Sequence, residues 1–286
     1  MNITGTTKLY GLFGSPVGHS MSPAMYNYCF KKWGLDCRYL AFDILKERTG
    51  DAVGAIRVLG LAGVNLTMPC KQAVIPYLDW ISPAVRLAGA CNTIVVENGR
   101  LNGYMTDGEG YVMDLKAQGM DVSGKKITLL GAGGAATAIQ VQVLLDGARE
   151  LSVFNRRDGF WDSAEQAVER LQNAFPDRKI ALYDLDDTAR LGEEILDSDV
   201  LTNATPAGMK PLDQLNPIRD PSFLRPGLLV TDCVYNPRRT KLSAQAQMRG
   251  CRTADGLGML IYQGAAAFKL YTGRDMPVKE IKSKFF

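Results

Sequence analysis

The stretch KKITLLGAGGAATAIQVQVLLDG, residues 125–147, constrains the fold of this chain more than any other. An apolar run ends at Gly131 and Gly133, Ala136 follows three residues later, and an apolar helical stretch continues to Gly147. The pattern G-x-G-x-x-[GA] is weak in isolation. Here it closes a strand and opens a helix, the context it requires. Gly131 permits a tight turn, Gly133 lets the backbone approach a pyrophosphate, and Ala136 lets helix and strand pack closely. The helix N-terminus adds N–H donors and partial positive charge. Gly131, Ala132, Gly133, Gly134 and Ala135 are therefore expected to line a dinucleotide site.

The rest of the chain repeats the alternation. Strands are expected at 8–14, 37–44, 62–68 and 91–97, with helices near 22–33, 46–60, 70–78 and 82–89 between them. After the glycine turn come strands at 150–158, 179–185, 199–205 and 227–235, and a helix at 161–174. A helix at 108–120 joins the two series, 206–227 reads as irregular, and 256–273 reads as a long apolar helix followed by a short one. Strands alternating with helices predict mostly parallel sheets covered on both faces.

Bulk properties exclude several classes. The 286 residues carry a net charge of only +3, with no block of like charge. Nucleic-acid binding, which needs a clustered basic face, is not expected. No apolar run approaches the roughly 18 residues of a membrane span. The start MNITGTTKLYGLFG lacks the basic-then-apolar order of a signal peptide, so a cytoplasmic location is expected. The six cysteines form no C-x-x-C and there is one histidine. Reduced, buried thiols and no metal are the expectation.

The strand after the glycine turn ends VFNRRDG, where such a unit meets the adenosine ribose. An acidic residue there suits the ribose hydroxyls of NAD, and arginine suits the 2′-phosphate of NADP. Asn155, Arg156, Arg157 and Asp158 offer both, so the cofactor stays open between NAD and NADP, with NAD favoured or dual use. Oxidising an alcohol with a nicotinamide needs a group to take the hydroxyl proton. The lone His19 is one candidate. Lys71 and Asp107 are better ones, since each follows an expected strand end, the usual place for sites in α/β sheets. Asp107 also reads as a helix cap, and Lys71 as an exposed helix-start lysine. Cys70, beside Lys71, would need a base partner to act as a nucleophile.

The set SPVGHSMSPAM, NLTMPCK, AGACNTIV, GYMTDGEG, GAGGAA, NRRD, NATPAGM, VYNP and DGLGMLIYQGA, in this order and across essentially the whole chain, resembles the shikimate/quinate dehydrogenase family. NRRD and GMKPL resemble the branch that accepts both acids. The resemblance implies that Ser20 and Ser22 hold the substrate carboxylate and that Thr67, Asn92 and Asp107 bind ring hydroxyls. It makes Lys71 the catalytic base with Asp107 beside it, and has Tyr235 and Gln263 complete the pocket. Thr205, Val234 and Gly256 join the cofactor contacts. Tyr26, Cys70, Met105 and the IYQG sequence depart from residues common in the family, which leaves substrate preference open.

The implied architecture is an N-terminal α/β substrate domain (1–107 with 256–286) plus a Rossmann-type dinucleotide-binding domain (108–255), with the cleft between them as the active site. The expected reaction is reversible oxidation of shikimate or quinate to its 3-dehydro ketone with NAD(P), and a homodimer is an open expectation. Two alternatives are a dehydrogenase for an aminated analogue or another cyclic polyol acid, and a catalytically silent nucleotide sensor.

Overall fold

The structure, a computed structural model, describes residues 3–286. The chain divides into two compact units, residues 1–106 with 261–286, and residues 107–260.

The first unit is built from β1 (Lys8–Gly14), α1 (Ser22–Lys32), β2 (Cys37–Asp43), α2 (Thr49–Leu59), β3 (Gly63–Leu66), α3 (Cys70–Ala73), β4 (Trp80–Ile81), α4 (Pro83–Ala88), β5 (Thr93–Glu97) and β6 (Arg100–Tyr104). Its sheet runs β2-β1-β3-β5-β6-β4, and β5 alone runs against the others. The sheet is thus mostly parallel, with one strand reversed, and the reason is local. Asn98 and Gly99 take φ of 52° and 76°, the double left-handed turn that closes a two-residue hairpin, so the chain doubles back into β6. The expected helix 70–78 stops at Ala73 and passes into a 3₁₀ turn at Ile75–Tyr77, because Pro76 has no N–H to continue the ladder.

The edge of this sheet is blunted from within. Strand β2 has one neighbour, β1, but the Asn27 side chain accepts from Tyr39 N–H at 3.0 Å and donates to Tyr39 C=O at 2.8 Å. The amide thus takes the place of a further strand at that point. Behind it Tyr26 stacks on Tyr39, with centroids 4.4 Å apart and planes at 4°. Phe30, Phe268 and Tyr271 complete the aromatic core.

The second unit opens with α5 (Thr106–Ala117) and continues through β7 (Lys126–Leu130), α6 (Gly134–Leu145), β8 (Glu150–Asn155), α7 (Trp161–Ala174), β9 (Lys179–Asp184), α8 (Thr188–Leu196), β10 (Val200–Asn203), β11 (Leu229–Asp232), α9 (Lys241–Met248) and β12 (Arg252–Ala254). Strand order β12-β11-β10-β7-β8-β9, all parallel, is the doubly wound arrangement whose order reverses beside the first strand. Fully buried Leu130, Phe154, Ile195, Leu201, Leu224 and Leu228 form the core of one face. Helix α9 and strand β12 lie where the sequence reading placed neither. Helices α10 (Gly256–Thr272) and α11 (Val278–Phe285) follow, and the boundary between the units falls inside α10. Among the described residues no helix is long and apolar enough to cross a membrane, none of the six cysteines is in a disulfide, and no cluster suits a metal ion.

Candidate active site

In the first unit the candidate substrate residues gather at one edge of the sheet. Ser20 and Ser22 follow β1, and the Ser22 N–H donates to Ser20 Oγ at 3.3 Å. Thr67 follows β3, with its N–H on the Phe13 carbonyl at 2.9 Å. Lys71 lies in α3, and its carbonyl accepts the Cys91 N–H at 2.8 Å, which ties that helix to the start of β5. Asn92 immediately precedes β5. Because β5 runs antiparallel, its beginning lies at the same edge as the ends of β1, β3 and β6, the position where ligands sit in α/β sheets.

Asn92 is buried at 2 % exposure and held on several sides. Its Oδ1 accepts the Thr106 N–H at 2.7 Å, and its Nδ2 donates to Thr106 Oγ1 at 2.9 Å. Thr93 donates to Asn92 Oδ1 at 3.1 Å, Asn65 Nδ2 donates to Thr93 at 3.0 Å, and the Tyr39 hydroxyl donates to Asn65 Oδ1 at 2.9 Å. This buried chain links the aromatic core to the site edge and fixes Thr106, the residue peptide-bonded to Asp107. Burial holds the Tyr39 phenol far above its ordinary pKa, so it stays a neutral donor. Sequence reading gave roles to Thr67 and Asn92 and missed Asn65, Thr93 and Thr106, although Asn65 stands two residues before Thr67 in the strand.

The remaining candidates separate. Gln263 lies half-buried on α10 beside Gly264, whose carbonyl accepts the Tyr26 hydroxyl at 3.0 Å. Tyr26 and Met105, which depart from residues common in the family, are buried. Cys70 is also buried, and it sits against the Thr49 hydroxyl at 3.6 Å and the Ile44 carbonyl at 3.5 Å, a packing role. His19 is exposed in the loop after β1. Asp107 is half-buried in the first turn of α5, in the second unit.

In the second unit the cofactor candidates line up at the carboxyl ends of the strands. Gly131 follows β7 with φ +101°, and a Cβ there would lie 3.0 Å from the Ala204 carbonyl oxygen, so this turn needs glycine. A Cβ at Gly133 or Gly134 would meet nothing within 4 Å, and no side chain caps the start of α6. The helix therefore presents uncapped N–H groups to open space, as a pyrophosphate site requires. Ala132 is half-buried, Ala135 exposed and Ala136 fully buried against the sheet. The residues present fit a dinucleotide phosphate.

After β8, the Asn155 side chain donates to the Arg156 carbonyl at 2.9 Å and Asp158 accepts the Phe160 N–H at 2.9 Å. Thr205, after β10, donates to Asn203 Oδ1 at 2.6 Å. Asn203 in turn donates to Asp232 at 3.0 Å. Asp232, 4 % exposed, also accepts the Val234 N–H at 3.0 Å and the Thr240 hydroxyl at 2.7 Å. Burial raises its pKa against the effect of those three donors. Asn203 and Asp232, both missed from sequence, thus anchor the loops that carry Thr205, Val234 and Tyr235. Tyr235 is exposed. Gly256 opens α10 close under the Cys233 carbonyl, which a Cβ would approach to 2.1 Å.

Comparison with known proteins places the chain in a family. Residues 12–94 match the family model described as shikimate dehydrogenase substrate binding domain, and residues 256–283 match the shikimate 5'-dehydrogenase C-terminal domain. The shikimate dehydrogenase (NADP(+)) of Listeria monocytogenes serotype 4b (strain F2365) is 47 % identical over 284 residues, covering 99 % of this chain and 97 % of its own. The quinate/shikimate dehydrogenase of Escherichia coli (strain SMS-3-5 / SECEC) is 45 % identical over 282 residues, covering 99 % and 98 %. A crystal structure of shikimate 5-dehydrogenase from Listeria monocytogenes in complex with shikimate and NAD superposes with a TM-score of 0.97 at 46 % identity, over 100 % of this chain and 99 % of that one. The chain belongs to the shikimate dehydrogenase family.

Proposed function

We propose that the protein catalyses the reversible NAD(P)-dependent oxidation of shikimate, and of quinate, to the corresponding 3-dehydro ketone. The observation that carries this reading is the separation of chemistries. One sheet edge gathers hydroxyl, amide and ammonium groups suited to a small polyol acid. The other sheet ends in an uncapped, glycine-lined helix start suited to a dinucleotide. Bound there, the nicotinamide supplies the acceptor for oxidation of a CH–OH group.

The chain's own residues do the rest. Ser20 and Ser22 donate to the substrate carboxylate, while Thr67, Asn92 and Asp107 hold ring hydroxyls. Lys71 takes the proton from the reacting hydroxyl and, as an ammonium, stabilises the oxyanion in the reverse direction. Asp107 orients that hydroxyl and the lysine. Tyr235 and Gln263 complete the substrate contacts. Anchored on Thr106, Asn92 cannot rotate away from its substrate, and such preorganisation favours the transition state over the ground state.

The test is a steady-state grid of shikimate and quinate against NAD and NADP, followed by the absorbance of the reduced nicotinamide. Lys71→Ala is expected to lower kcat by about a thousandfold with a much smaller change in KM, as for a group acting mainly in the transition state. Near-normal kcat in that variant would refute the base assignment. No turnover of either acid by the wild type would refute the function.

A further inference from the structure

The two arginines after β8 have different fates. Arg156 is exposed. Arg157 donates through Nε to Asp184 Oδ2 at 3.2 Å, and its guanidinium carbon lies 4.3 Å from the centre of the Trp161 ring. Sheet register sets up the first contact, since Asp184 ends β9 directly opposite Asn155, the last residue of β8. The other Asp184 oxygen accepts the Asp186 N–H at 3.0 Å, which fixes the carboxylate. Trp161, at the start of α7, holds the guanidinium from below. Asp158, in the same loop after β8, uses Oδ1 on the Phe160 N–H.

We propose that Asp184 is a cofactor-specificity residue. It holds Arg157 on Trp161 and away from the ribose 2′ position, and so discriminates against the 2′-phosphate of NADP. The inference rests on the reading of this unit as the dinucleotide domain. An arginine free to swing to the 2′ position is what accommodates that phosphate, through a bidentate charge-assisted pair. An exposed ion pair and an exposed cation–π contact are each weak, but both act on one guanidinium, and together they bias it toward the held conformer about tenfold. The ribose hydroxyls of NAD carry no phosphate that calls for the arginine, and find an acceptor in Asp158.

Asp184→Asn removes the charge while keeping the shape and the acceptor for Asp186. Affinities for NADPH and NADH, read by fluorescence titration of the full chain without acid substrate, are expected to shift toward NADPH by about tenfold in their ratio. Asp184→Glu, which keeps the charge, is expected to restore most of the wild-type ratio. In the double variant Asp184→Asn/Arg157→Gln the gain is expected to disappear. An unchanged ratio in Asp184→Asn, or equal losses for both cofactors as a merely structural residue would give, overturns the inference alone. A gain that survives loss of Arg157 also overturns it. A wild type that binds neither dinucleotide overturns the inference together with the reading beneath it.

Discussion

Replacing Lys126 by methionine tests how the second unit holds together away from its chemistry. Lys126 begins β7, at the opposite end of the strand from Gly131, and is 3 % exposed. Its ammonium meets Glu194 at 2.7 Å and Glu150 and Asp197 at 3.0 Å each. Burial works to lower its pKa, but the three carboxylates outweigh this and hold it above the ordinary lysine value. Removing one partner of a buried pair costs about 3–5 kcal/mol. Glu150 would still have Lys179 at 2.7 Å, and Glu194 would keep Arg190 at 2.5 Å and Ser152 at 2.7 Å. The low end, about 3 kcal/mol, therefore applies.

For a unit of this size each kcal/mol moves Tm by about 3 °C, so a drop of about 10 °C is expected. The sign with pH follows from the two partners. A raised lysine pKa gives stability fully present below the ordinary lysine value, so it is intact at neutrality. The Glu194 pKa is lowered: burial opposes this, but Lys126 and Ser152 outweigh it. Its contribution is present above the ordinary carboxylate value and fades as pH falls through the depressed one. Urea unfolding of both proteins should show a gap that is flat between about pH 5 and about pH 9 and narrows in acid. Equal midpoints at neutral pH, or a gap that widens on acidification, would refute the reasoning. NADH binding by the folded variant should persist, since the substitution is remote from the glycine turn.

Two other perturbations read different parts of the structure. Gly108→Ala in α5 should gain about 1 kcal/mol on helix propensity alone. A Cβ there would lie 2.2 Å from the Ala138 carbonyl oxygen, so a net loss of about 2–3 kcal/mol in urea unfolding is expected, and stabilisation would disprove that packing. Asp232→Asn puts a donor where Asn203, Val234 and Thr240 already donate. It should weaken NADH binding about tenfold by loosening the loops after β10 and β11, and unchanged binding would remove Asp232 from that role.

What the sequence made legible follows from what is local. The glycine turn after β7, Thr67, Asn92 and the NRRD loop announce themselves because one short segment carries the whole signal. Strand β6, RLNGY, was invisible as a strand because it has little β-branched or aromatic content. The Asn98–Gly99 pair before it was the available clue. Helix α9, KLSAQAQM, has no clear apolar period. Asn65, Thr93, Thr106, Asn203 and Asp232 matter only through partners distant in the chain, so nothing in their own neighbourhoods marks them. Arg156 and Arg157 read as interchangeable until strand register set Asp184 against the second of them.

The division of the chain has a consequence for its synthesis. The dinucleotide unit is complete in sequence once residue 260 has been made, whereas the first unit still lacks residues 261–286. Those residues carry Phe268 and Tyr271, which close over Tyr26, Phe30 and Tyr10. On the ribosome, where segments fold in the order they emerge, the unit that begins first is therefore finished last. Until α10 and α11 arrive, its aromatic core is uncovered, and in that interval a nascent chain of this kind is most open to chaperones and to aggregation.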